Sequence, residues 1–384
     1  MVDGTDPEEA AWARAGLLDT DDGGTREDRL AVLRLLTDRG ATIDEMVEAH
    51  LLGSLPAVAG DLVRRRSVTT VRVDELAASC GVPLDLVERV FLAAGLPVRH
   101  DTEVPERLAV LVGAFESGAA LMGEEAILAF TRVLGAAAAN IAEAAIALFY
   151  AELGPGTARE GEDEVTRAAL SEAATLAFAS VPDVLSSVLL ARFDRTSRRA
   201  IQYRGWSLRS GDGPDPAVDG PAEIVALGFV DLVGSTSWAE ELNLRDHSLA
   251  LSRFESAAWS SAVLAGGRVV KTIGDEAFFS APTVDVACRI ASELCAAAAA
   301  DPVLPSARAA VGVGVVSSRE GDYFGPLVNQ VARMVKAAEP GELAVTADAA
   351  DELPPERWEV RQRDPVALRG VAAPVSWCSV TPIG

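Results

Sequence analysis

The sequence predicts a two-part α+β chain, an all-α first half followed by a βαββαβ second half, on three observations. Up to about residue 205 apolar residues recur at helical spacing. From residue 224 onward they come in short, nearly continuous runs, as in strands buried on both faces, with amphipathic stretches between them. Between the halves lies GDGPDPAVDGPAE, residues 211–223, with three prolines and three glycines in thirteen residues. The chain is therefore divided into a helical domain over 1–205, a linker over 206–223 and a second domain over 224–384.

In the first half, EDRLAVLRLLTDRG sets leucines at near-helical spacing and stops at Gly40. A new helix follows with Thr42 or Asp44 as its cap. Residues 71–97 read as two short helices around Gly81-Val-Pro, and 165–204 as one or two more that end in an arginine-rich run. The apolar stretch 124–150 contains Glu125, Arg132, Asn140 and Glu143, which interrupt any membrane-length run, so a buried helix and no membrane span are expected. A second linker is read at 154–164. In the second half, strands are expected at 224–233, 268–273, from Glu276, at 307–318 and at 342–346, with helices at 237–264, 284–300 and 326–338. Their βαββαβ order is the ferredoxin-like signature.

Composition excludes several classes of function. The chain has 384 residues and a formal net charge of −23, which disfavours sequence-independent binding to nucleic acid or to anionic lipid. Four scattered cysteines make no disulfide scaffold and no C-x-x-C pair, which fits a reducing, cytoplasmic setting. The acidic opening stretch lacks the basic and apolar regions of a signal peptide. Of 34 basic residues only Lys271 and Lys336 are lysines, so each lysine stands out against the arginines.

Three motifs carry chemistry. In FVDLVGST, residues 229–236, a strand delivers Asp231 to its C-terminal end, and a glycine and two hydroxyl residues precede a helix. Ser237 and Glu240 have the spacing of a capping box for that helix. Backbone N–H groups at such a turn attract phosphate, and a neighbouring aspartate holds a hard cation against it. In KTIGDE, residues 271–276, a hairpin turn presents Asp275 and Glu276, and a second aspartate there can complete a two-metal site with Asp231. In GDYFGPLVNQVARMVKAAEPG, residues 321–341, Pro326 opens a helix that puts Asn329 and Arg333 on one face. That pair can order a ribose and neutralise a migrating phosphoryl charge. Each motif alone also has an ordinary structural reading as a cap, a turn or a solvated face.

Taken together and in order, the three motifs make residues 224–384 resemble the catalytic domain of class III nucleotidyl cyclases. The resemblance implies that Asp231 and Asp275, with the Leu232 carbonyl, bind two divalent cations, Mg²⁺ or Mn²⁺. It implies that Lys271 and Asp322 select adenine, that Asn329 and Arg333 act on the transition state, and that Val233, Gly234, Ser235 and Thr236 meet the phosphates through their backbone. Arg369, in a stretch at 366–371 that resembles the family's terminal strand, is a further candidate for the triphosphate. The implied reaction turns ATP into 3′,5′-cyclic AMP and pyrophosphate at sites shared across a head-to-tail homodimer. The helical half resembles, more loosely, the regulatory domains of autoinhibited actinobacterial cyclases, for which acid pH or an apolar ligand is the type of stimulus. Three rival readings are weighed, the first a non-catalytic ligand-binding relic, against which all six motif residues are present. The helix-turn-helix look of 71–97 lacks basic clusters. A diguanylate cyclase is suggested by IleGlyAspGluAlaPhe, but that run lacks a second glycine.

Overall fold

The structure, a computed structural model, describes residues 6–19, 25–66, 68–154, 157, 162–210, 222–371 and 373–383. The linker expected over 206–223 falls outside the described residues from 211 to 221, as does most of 155–161. Two compact units, Met1–Asp194 and Arg195–Gly384, make up the chain.

The first unit is built of helices α1 (Pro7–Arg14), α2 (Arg26–Asp38), α3 (Ile43–Leu51), α4 (Val58–Arg66), α5 (Val73–Cys80), α6 (Leu84–Ala93), α7 (Ala109–Met122), α8 (Glu124–Leu153) and α9 (Glu164–Phe178). Helix α10 (Val181–Ser210) runs across the division between the units. Local chemistry sets the helix ends. Thr42 and Glu45 form a reciprocal capping box at α3. Gly81, left-handed at φ 74°, closes α5 two residues before Pro83 turns the chain into α6. Two apolar clusters result, one around Trp12, Leu33 and Leu36, the other around Val87, Phe91 and Phe115. The first is tied by Arg29, 3% exposed, whose guanidinium donates to Glu164 at 2.8 Å and to the Leu17 and Asp19 carbonyls.

Two expectations for this unit are corrected. It is not purely helical, because β1 (Thr70–Arg72) pairs antiparallel with β2 (Glu103–Pro105) and brackets α5 and α6. The stretch 124–150 forms the expected helix but is not buried within this chain: in α8 only Ile127 and Thr131 are buried, while Phe130, Leu134, Ile146, Leu148 and Tyr150 are exposed. The second cluster takes in Ile127 and Leu128 but none of the later α8 residues, and composition cannot tell how far such a cover reaches. Among the described residues, Glu124–Leu153 and Glu164–Arg198 are long and apolar enough to cross a membrane, by length and composition.

The second unit carries an eight-stranded sheet. Its elements are β3 (Ala222–Leu232), α11 (Ser235–Glu241), α12 (Leu244–Leu264), β4 (Arg268–Ile273), β5 (Glu276–Ala281), α13 (Val284–Ala300), β6 (Ala307–Arg319), β7 (Asp322–Phe324), α14 (Pro326–Met334), β8 (Leu343–Thr346), α15 (Ala347–Ala350), β9 (Trp358–Val366) and β10 (Val375–Pro382). The spatial order is β4-β5-β3-β6-β8-β10-β9, with β7 paired to β6. The run β4-β5-β3-β6 is the order of a ferredoxin-like βαββαβ unit, as the sequence predicts. Residues 225–232 of β3 are buried on both faces. Ala226, Val230 and Leu232 pack with α12 and α13 on one face, and Val225, Leu227 and Phe229 with α14 on the other.

Three finer expectations change. The helix expected over 237–264 is two helices, because Asn243 caps a fresh start by accepting from the Asp246 N–H at 2.9 Å. Ser237 does not cap: α11 begins two residues earlier, after left-handed Gly234, and the Ser237 hydroxyl donates back to the Gly234 carbonyl at 2.9 Å. The stretch 366–371 is not a strand. Strand β9 ends at Val366, and Arg369 and Gly370 form a turn, with Gly370 left-handed at φ 74°.

Gly312 of β6 sets how closely α14 lies on the sheet. A β-carbon there would stand 2.7 Å from Val331 and 3.1 Å from Leu327, both on α14. Gly312→Ala therefore lifts α14 from the sheet and costs about 1–3 kcal/mol, to be read from the urea midpoint. An unchanged midpoint contradicts the packing described.

Candidate active site

Asp231 is 2% exposed at the end of β3, on the face that carries α14. A carboxylate so deeply placed needs partners. Arg308, its cross-strand neighbour on β6, donates to Oδ2 through Nε at 3.0 Å and lies at 3.0 Å through Nη2. Lys336 donates to Oδ1 and also meets Glu276 at 3.2 Å. Glu276 is the neighbour of Asp231 on the other side, on β5. Burial raises the pKa of Glu276, and the charges of Asp231 and Asp275 add to this against the attraction of Lys336. For Lys336, burial opposes the charge, but the Asp231 hydrogen bond and Coulomb attraction, with that of Glu276, outweigh it and raise the pKa.

Asp275 stands at the β4–β5 hairpin tip, and its carbonyl accepts from the Leu232 N–H at 3.1 Å. That bond joins the segments of the two expected metal ligands and places the Leu232 backbone beside both. The residues present fit a hard cation, which takes carboxylate and carbonyl oxygens, and the Lys336 ammonium already lies between carboxylates there. Among the described residues no group of three or more His, Cys, Asp or Glu forms a cage.

The structure also joins Lys271 and Asp322. Lys271, on β4, donates to Asp322 Oδ2, with its ammonium 6.0 Å from the centre of the buried Phe278 ring. Asp322 is held in position from two sides. The β6–β7 turn is tight, with Glu320 at φ 55° and Gly321 at φ 80°, the left-handed pair of a two-residue hairpin. Arg268 then donates to the Gly321 carbonyl at 2.9 Å and lies over the Tyr323 ring.

Asn329 and Arg333 are exposed on α14, whose other side buries Val331 and Met334. The Arg333 guanidinium abuts the turn that bears Arg369, since a β-carbon on Gly370 would stand 3.3 Å from Nη1. In the turn after β3, the Val233 N–H donates to the Ser306 carbonyl at 2.8 Å, so it is spent on the fold rather than on phosphate. Gly234, Ser235 and Thr236 form the entry to α11. Three residues of this site are assigned no role from the sequence: Arg308, Lys336 and Glu276. The rarity of lysine singles out Lys336, but its contact to Asp231 spans 105 residues and needs the fold.

No protein-family model matches the chain. An adenylate cyclase of Glutamicibacter nicotianae is 29% identical over 77% of this chain and 75% of its own. An adenylate cyclase of Streptomyces coelicolor is 28% identical over 76% of this chain and 72% of its own. These relatives span most of both chains, and the paired aspartates, the Lys–Asp pair and the Asn–Arg helix lie on one sheet. The chain is thus similar to adenylate cyclases over most of its length. A pH-sensitive adenylate cyclase of Mycobacterium tuberculosis is 27% identical over 86% of this chain and 81% of its own. Among solved structures, the adenylyl cyclase CyaB from P. aeruginosa is 19% identical, with a TM-score of 0.37 over 42% of this chain and 94% of that one.

The second unit depends on neutralising Asp231. Arg308→Ala leaves a buried carboxylate with one half-exposed partner, and it should cost about 2–4 kcal/mol in urea unfolding. A loss below about 0.5 kcal/mol contradicts this role.

Proposed function

We propose that the protein is an adenylate cyclase that converts ATP to 3′,5′-cyclic AMP and pyrophosphate. The observation that carries the substrate reading is the Lys271–Asp322 contact. An ammonium can only donate and a carboxylate can only accept. Adenine meets such a pair with a ring-nitrogen acceptor and an exocyclic amine donor; guanine presents the reverse.

Asp231 and Asp275, with the Leu232 carbonyl, would hold Mg²⁺ or Mn²⁺, which when bound supplies stabilisation of charge on the attacking and leaving oxygens. The chain's own residues orient the rest. Lys271 and Asp322 fix the base. Asn329 holds the ribose so that the 3′-oxygen faces the α-phosphorus in line with the pyrophosphate oxygen. As the new P–O bond forms and the bond to pyrophosphate breaks, Arg333 donates to the phosphoryl oxygens where negative charge collects. Gly234, Ser235 and Thr236 would face the phosphates through their backbone from the start of α11, and Arg369, in the turn whose Gly370 abuts Arg333, would meet the same anion. The two halves of one site come from two copies of the chain, so a homodimer carries two equivalent sites. The helical half is read as its regulator, supported by the relative described as pH-sensitive, which aligns over 86% of the chain.

The purified chain with Mn²⁺ should form cyclic AMP from ATP and no cyclic GMP from GTP. Asn329→Ala and Arg333→Ala should each lower kcat about 10²–10³-fold with KM little changed. Preferred use of GTP, or full activity after Arg333→Ala, refutes the assignment.

A further inference from the structure

The mechanism above leaves Lys336 without a task, although it is one of only two lysines in the chain and touches the most buried carboxylate of the site. It sits in the single turn after α14, Val335–Ala337, with its side chain 52% exposed. Its ammonium meets Asp231 on β3 and Glu276 on β5, cross-strand neighbours whose like charges repel when nothing lies between them. Asp275, at the hairpin tip next in sequence, adds a further negative charge. A cation is required there whether or not a metal is present.

The other cation at Asp231 behaves differently. Arg308 is only 20% exposed and is bound on two sides, to Asp231 and to the carbonyls of Lys336 at 2.9 Å and Ala338 at 3.4 Å. Arg308 thus pins the backbone of the turn while leaving the Lys336 side chain to move. A lysine ammonium is a point charge on a flexible stem and can withdraw from its partners more readily than a forked guanidinium. Its route out is open, since half of the side chain already faces solvent.

We propose that Lys336 is a resident counter-cation: its ammonium occupies the cation position between Asp231 and Glu276 and is displaced when a divalent cation binds Asp231. The proposal rests on the reading of Asp231 as a metal ligand and adds a residue that sets how tightly metal is held. Every binding event must break the Lys336 contacts, so Lys336 and metal oppose one another through the same carboxylate, and the opposition is reciprocal. Lysine keeps the metal-free site neutralised and lets go; arginine at this position would hold on.

Titration of Mn²⁺ onto the full-length chain, followed by the electron paramagnetic resonance signal of free Mn²⁺, tests this directly. Lys336→Met should bind Mn²⁺ about five- to tenfold tighter than the natural chain. Lys336→Arg should bind no tighter than the natural chain, and Asp231→Asn should bind more weakly with or without Lys336→Met. Circular dichroism spectra of all variants should superpose. If Asp231→Asn weakens binding but Lys336→Met leaves it unchanged or weaker, the metal site stands and the counter-cation role is refuted. If Asp231→Asn binds Mn²⁺ as the natural chain does, both the ligand assignment and the role built on it fall.

Discussion

A carboxylate 2% exposed, at the end of an interior strand of the sheet, is the constraint on which the second unit depends. Asp231 cannot be left alone there. Its neutralisation recruits Arg308 from β6 and Lys336 from the turn after α14, so three segments far apart in sequence meet at one charge. Arg308 then reaches two carbonyls of that turn, and this joins the electrostatics of the site to the seating of α14. Asn329 and Arg333 ride on the same helix. Their placement is therefore tied to the neutralisation of Asp231.

A second constraint is the closeness of the layers. Phe229 and Phe278 stack at 4.4 Å on the α14 face, directly below the Lys271 ammonium. Gly312 admits Val331 of α14 to the sheet where any β-carbon would collide. The two-residue turn at Glu320-Gly321 and the Arg268 contact hold Asp322 beside Lys271. Both pairs, Asp231 with Asp275 and Lys271 with Asp322, are set by backbone features and not by flexible loops, which suits a reaction that needs positioning more than covalent help.

Much of the catalytic half was legible from residues alone, because strands buried on both faces are written as apolar runs and the turns between them carry glycine and proline. The order of those runs predicts the ferredoxin-like core, the motifs offer Asp231, Asp275, Asn329 and Arg333 as candidates, and the Lys271–Asp322 pair comes from the resemblance to class III cyclases. What stayed hidden depends on tertiary contact. The Arg308 and Lys336 contacts to Asp231 span 77 and 105 residues and have no local signature. The Val233 N–H looked available until the fold gave it the Ser306 carbonyl. At 366–371 the family resemblance implies a strand, but left-handed Gly370 makes a turn that sets Gly370 against the Arg333 guanidinium. Helix α8 shows the limit in the first unit, since apolar composition does not reveal what covers a face.

In the proposed reaction these residues build one active site from two copies of the chain, with Asp275 serving one site and Lys271 the other. Mixing a Lys271→Ala chain with an Asp275→Ala chain and measuring cyclic AMP formation tests it most directly. Each variant alone should be inactive and folded, and the mixture should recover up to about a quarter of natural activity, since half of the dimers are mixed and each has one intact site of two. Two folded, inactive variants that recover nothing when mixed and allowed to exchange would contradict the shared site.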